Sequence, residues 1–119
     1  MRVIGVTIAA DNMKEMVRFY NAVFDAGLKE TARIGEQQFY GGALAGLELV
    51  LCSNAIAGVN AEQNRQQFRF EVSEIEMVME TGLANHGVEI NPVDDFIGVK
   101  VASMADPDGN TIEFFERKS

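Results

Sequence analysis

Along this 119-residue chain, apolar and polar positions change from a period of two to a helical period and back, and they do so twice in the same order. Residues 2–9 alternate, with Val6 and Ile8 on one face and Gly5 and Thr7 on the other, which predicts a strand. Met13, Met16, Val17, Tyr20 and Phe24 then recur at helical spacing and predict an amphipathic helix. Asn12 and Glu15 have the spacing of a capping box, and Asp11 adds negative charge at the helix start. Gly27 stands where a left-handed residue ends such a helix. Strands are expected over 28–34, 37–41 and 46–52, with turns at Gly35-Glu36 and Gly41-Gly42. Residues 53–65 are polar, have no period and read as a linker.

The second half repeats the order. Residues 67–72 alternate, with Phe68, Phe70 and Val72 on one face and Gln67, Arg69 and Glu71 on the other. Ser73 and Glu76 form a second capping box, stapled by Val72 and Met77, and the helix is expected to run to His86 with Gly87 as its cap. Strands over 88–93, 97–104 and 110–116 complete the unit. The fold class is therefore α+β: two tandem βαβββ modules in one domain over 1–119, module 1 about 1–54 and module 2 about 66–119. A sheet covered by one helix leaves its other face open. Two such units side by side form a curved sheet with helices outside and a concave inner face, where a site belongs.

Composition narrows the function. Hydrophobic residues make up 47% of the chain, enough for a globular core. The net charge of −8 excludes the basic footprint of a nucleic-acid binder and disfavours an anionic membrane surface. The apolar run after Arg2 is stopped by Asp11, too short to span a membrane and without a signal-peptide cleavage pattern. Cys52, the lone cysteine, has no partner for an internal disulfide. It reads as a packed or pocket-lining thiol in a cytoplasmic protein. Met13, Met16, Met77 and Met79 read as core at helical spacing, Glu74, Glu76 and Glu80 as a solvated helix face, and Asp94-Asp95 as a turn.

Asp106-Pro107-Asp108-Gly109-Asn110 has the residues of a tight turn. After it Thr111, Glu113 and Phe115 share one strand face, with Ile112 and Phe114 on the other. A second glutamate, Glu48, sits in the similar strand Gly46-Leu47-Glu48-Leu49. Each half thus presents one carboxylate.

These residues, with Gly5-Val6-Thr7-Ile8, Asp11 and Arg18-Phe19-Tyr20, resemble the vicinal oxygen chelate superfamily: glyoxalases, bleomycin-resistance proteins and extradiol dioxygenases. The resemblance covers essentially the whole chain. It implies a small-molecule partner and a homodimer, in some members with halves exchanged between subunits, so the modules pair within one chain or between two. In its metal-using members four side chains hold one divalent ion. The matching positions here are Gly5, Glu48, Gln67 and Glu113. Gly5 has nothing to ligate with, Gln67 offers only an amide, and no imidazole is near, because His86 falls at the outer end of the second helix. A dioxygenase with a two-His, one-carboxylate centre is excluded.

Three functions follow from the resemblance. The first is a metal-free small-molecule-binding protein whose pocket is lined by Thr7, Tyr40, Glu48, Cys52, Gln67, Arg69, Glu113 and Phe115, with walls from 35–41 and 91–99. It suits a cationic or amphiphilic ligand and needs no cofactor. The second is a glyoxalase-type lyase or isomerase using Mg, Mn, Ni or Zn on Glu48, Gln67 and Glu113, with Glu48 and Glu113 as base and ligand. The third is a protein interaction module. If both glutamates enter one hollow, their repulsion requires a cation, and the Arg69 guanidinium can supply it. Alternatively, Arg69 lies at a rim, paired with Glu71 or an exposed acid.

Overall fold

In the computed structural model, which describes residues 2–61, 64 and 66–118, each half places its apolar alternation against a helix. The first half comprises β1 (Gly5–Ala10), α1 (Met13–Phe24), β2 (Lys29–Ile34), β3 (Gln37–Leu44) and β4 (Leu47–Ser53). After α2 (Asn54–Ala57), the second comprises β5 (Phe68–Glu71), α3 (Ile75–Ala84), β6 (Val88–Phe96), β7 (Val99–Ala105) and β8 (Thr111–Arg117). The sheets have corresponding strand orders, β1-β4-β3-β2 and β5-β8-β7-β6, and the first strand of each pairs in parallel with the last. The fold is α+β, built from two βαβββ modules.

Core-facing residues join the halves. Met16, Phe19, Leu49, Leu51, Met104 and Phe114 are fully buried in one hydrophobic cluster drawn from both sheets. The α1 residue Phe24 lies 4.6 Å from Phe70 and 6.2 Å from Phe114, ring centre to ring centre, so the first helix packs on the second sheet. Aromatic pairs in this range add about 1 kcal/mol each to the burial term.

Several local expectations are corrected. Gly41 and Gly42 lie inside β3, and the turn falls at Ala45-Gly46, where both residues have positive φ. A Cβ on Gly42 would collide with the Ala26 carbonyl oxygen. The glycine is there for close approach of the chain leaving α1. Asn12 makes no side-chain cap on α1, and α3 starts from Glu74, not Ser73, with no side-chain cap of its own, while its Ile75 amide donates to Glu116 Oε1 at 2.8 Å. The helix α3 stops at Ala84, and His86 takes the positive φ expected of Gly87. Met77 is 57% exposed, so it neither staples the helix nor joins the core that holds Met79. Asp94 and Asp95 are strand residues, and the turn is Ile97-Gly98. The linker contains α2, capped by Ser53 Oγ, while its residues 62, 63 and 65 lie outside the described residues. No helix among the described residues is long and apolar enough to cross a membrane.

Candidate functional site: the inner face of the second sheet

Strand register sets which side chains meet on the face turned away from the core. On the second sheet, Arg69 of β5 is the Cα partner of Glu113 on β8, Glu113 of Ser103 on β7, and Ser103 of Asn91 on β6. Paired positions project from the same face, so these four form one polar row. Asn91 Nδ2 donates to Ser103 Oγ at 2.9 Å, which fixes one end of the row. A cavity of about 570 Å³ lies over it, lined by Gln67, Thr111, Glu113, Ser103, Asn91 and Asp94 with apolar walls from Ile90, Val93 and Val101. At the other end the Arg69 guanidinium lies 4.5 Å above the centre of the Phe115 ring. It has not closed on Glu71, which accepts from Arg117 Nε at 2.8 Å.

Glu113, Gln67, Arg69 and Phe115 therefore cluster on one sheet. The other expected residues are placed elsewhere. Glu48 projects from the first sheet beside Gly5 and Ala43 and does not line the cavity that holds Glu113. Thr7 lines a different cavity, of about 310 Å³, between the edge strands β1 and β5 with Val6, Ile8, Phe68 and Ile112. Tyr40 is the Cα partner of the buried Leu51 and packs on the core, so it lies on the opposite face from Glu48. Its hydroxyl accepts from Gln38 Nε2 at 3.3 Å. Cys52 is buried, and burial pushes its thiol pKa up, which lowers its reactivity.

Of the four positions that the resemblance assigns to a metal, Gly5 and Glu48 lie on the first sheet and Gln67 and Glu113 line the cavity on the second. A Cβ on Gly5 would stand 2.8 Å from the Glu48 backbone oxygen, so even a short side chain there must displace the strand pair. The register puts Arg69, a cation, rather than Gln67 opposite Glu113. Among the described residues no three His, Cys, Asp or Glu side chains come together as ligands.

Sequence reasoning missed Ser103, a lone hydroxyl in the apolar run of β7, and missed the job of the Asp-Pro-Asp-Gly-Asn turn. Asp106 is buried and accepts from Tyr20 Oη at 3.0 Å, Asn110 N at 2.9 Å, Asn110 Nδ2 at 2.7 Å and Asp108 N at 3.0 Å. Asp108 accepts from the Asp11 and Asn12 amides at 2.6 and 2.8 Å and thereby caps α1 from the far half of the chain. Asn110 Oδ1 accepts from the Asn64 amide at 2.6 Å, and Asn64 Nδ2 donates to the Ala9 carbonyl at 3.1 Å. The turn is a latch between halves. Burial, opposed by these hydrogen bonds, raises the Asp106 pKa, and burial next to Asp106 raises that of Tyr20. A helix with an acidic Ncap′ region and a distant acidic turn carry no mutual signal in one dimension.

Comparison with solved structures places the same architecture elsewhere. A glyoxalase/bleomycin resistance protein/dioxygenase family enzyme from Burkholderia phytofirmans PsJN superposes with a TM-score of 0.77 at 15% identity, covering 98% of this chain and 99% of that one. TnmS3, an antibiotic binding protein from Streptomyces sp. CB03234, gives 0.73 at 13% identity over 99% and 97%. The fosfomycin resistance protein FosX from Listeria monocytogenes gives 0.72 at 13% identity over 98% and 93%. At these identities the likeness is one of fold. No curated protein matches the chain in sequence. The family model described as Glyoxalase/Bleomycin resistance protein/Dioxygenase superfamily matches residues 2–114, nearly the full length, and the chain therefore belongs to that superfamily.

Proposed function

We propose that the inner face of the second sheet binds a small amphiphilic molecule through a cationic group, with no complete metal site. The observation that carries this reading is the cavity over Glu113, which combines carboxylates from Glu113 and Asp94 with walls from Ile90, Val93 and Val101. A carboxylate beside apolar surface favours an ammonium on a hydrophobic body. The antibiotic-binding neighbour of the same fold lends support. A cytoplasmic homodimer goes with the reading. The support for the dimer is the open outer strands: β2 is exposed throughout, and Phe96 and Ile97 at the β6–β7 turn are 64% and 94% exposed.

Calorimetric titration with amphiphilic amines and their uncharged isosteres tests the site. Amines bind, isosteres bind less, and Glu113→Gln weakens the amines by about tenfold. Parallel titration with Mn²⁺, Ni²⁺ and Zn²⁺ decides against the metal-dependent lyase or isomerase if no ion binds. Stoichiometric metal lost in Glu113→Gln would instead establish that enzyme. A monomer by light scattering at all concentrations would remove the dimer.

A further inference from the structure

The polar row on the second sheet carries opposite charges on adjacent strands that do not neutralise each other. Arg69 and Glu113 are Cα partners on β5 and β8, and both project from the inner face. Adjacent strands lie about 4.8 Å apart, close enough for a guanidinium and a carboxylate to join. Yet Arg69 is turned onto the face of Phe115, at 4.5 Å, and none of the ion pairs of the described residues includes it or Glu113. Stacking holds the guanidinium flat while leaving its edge free to donate. Glu113 meanwhile lines the cavity with Gln67 and Ser103. A neighbouring depression is lined by Arg69, Phe115, Val99 and the ion-paired Arg117 and Glu71, which leaves Arg69 as its unpaired charge among the described residues. An acidic hollow and the Arg69–Phe115 stack thus adjoin on one sheet.

We propose that this row recognises a zwitterion: a ligand whose ammonium meets Glu113 and whose carboxylate meets the edge of Arg69, with its hydrocarbon part against Val93 and Val101. Pairing on adjacent strands calls for a ligand whose two charges are close together, as in an α-amino acid or an amino-acid-like group, where one carbon separates ammonium and carboxylate. Neither protein charge has to break an existing pair to bind, so little is lost on association. The proposal deepens the cation-binding reading above and rests on it. It adds that an anion on the ligand is read as well.

The test uses three probes with one aromatic body: 2-phenylethylamine, 3-phenylpropionate and phenylalanine, titrated into the whole protein, Arg69→Gln and Glu113→Gln. Because Arg69 is exposed, the added carboxylate is expected to tighten phenylalanine over the amine by about fivefold in the wild type. Arg69→Gln makes those two probes equal, and Glu113→Gln weakens both. Thermal melts confirm that each variant is folded. If the amine binds as tightly as phenylalanine, or if Arg69→Gln leaves the preference intact, the zwitterion proposal is overturned and the cation site stands. If none of the three binds, both fall together.

Discussion

The two sheets share a topology and differ in what they show on the inner face. In the first, the row containing the carboxylate runs Gly5, Glu48, Ala43; in the second it runs Arg69, Glu113, Ser103, Asn91. The core-facing positions of both sheets are equally apolar: Ile8, Leu49 and Leu51 in one, Ala102, Met104, Ile112 and Phe114 in the other. Repetition of fold therefore needs only the core-facing half of each strand. The other half is free to diverge, because a period of two separates packing from surface chemistry. In module 2 the compared row holds two opposite charges; in module 1 it holds the single carboxylate of Glu48. Corresponding positions, Gly5 and Arg69, show the divergence most sharply.

The largest effects test whether the halves are one cooperative unit despite that difference. Leu49→Ala in the first sheet and Phe114→Ala in the second each remove a fully buried side chain from the shared cluster. Each is expected to cost about 3–5 kcal/mol and to lower the same single unfolding transition. A calorimetric melt in which one substitution shifts only part of the transition would show that the sheets fold separately.

Next in size is the latch. Tyr20→Phe removes a donor to Asp106 and should cost about 1.5–3 kcal/mol, with Asp106→Asn costing at least as much because an amide NH₂ then faces two donors. The pH dependence has a definite sign. A carboxyl whose folded pKa is raised contributes stability that is fully present below its ordinary value and is lost as pH rises through the folded one. The wild type should therefore gain on Asp106→Asn as pH falls through the acid range above the ordinary carboxylate pKa. Denaturant midpoints at several pH values measure this, and a wild type that loses ground on acidification contradicts the burial argument. Tyr20, raised likewise, adds the same sign of effect above its ordinary pKa.

The smallest effects set Gly5 against its counterpart. Gly5→Ala drives a methyl toward the Glu48 carbonyl, 2.8 Å away, and should cost about 1–3 kcal/mol by strain. Arg69→Ala gives up only an exposed stacking contact, about 0.5–1 kcal/mol. Urea unfolding of the two variants ranks them. The reverse order would mean that Arg69 holds the fold rather than a ligand.

Much of the fold was legible because alternation and helical spacing are local. Phe68 and Phe70 against Arg69, and Ile112 and Phe114 against Glu113, divide between faces as their spacing predicts. Glycines were harder, since a residue without a side chain marks a turn at Gly46 and a close crossing at Gly42 with the same letter. The starts of α1 and α3 differ from their local signals for a related reason: Asp108 reaches α1 from the second half, and Glu116 reaches α3 from the last strand. At the candidate site, Gln67, Arg69, Glu113 and Phe115 fall together on one sheet as their alternation predicts, whereas Tyr40 packs on the core and Ser103, a hydroxyl among apolar neighbours, carries no signal in the sequence.

What the sequence determined by itself is the order of the strands and of the two longer helices, the core-facing side of most strands, and the scarcity of imidazole and thiol in an acidic chain, since composition and period are properties of the chain in one dimension. Tertiary structure alone decided that Arg69 rather than Gln67 stands opposite Glu113, that Glu48 is kept out of the cavity over Glu113, and that Asp106 and Asp108 bind one half to the other. Those depend on register and on contacts between residues far apart in the chain, which the hydrogen bonds and packing of the finished sheets fix.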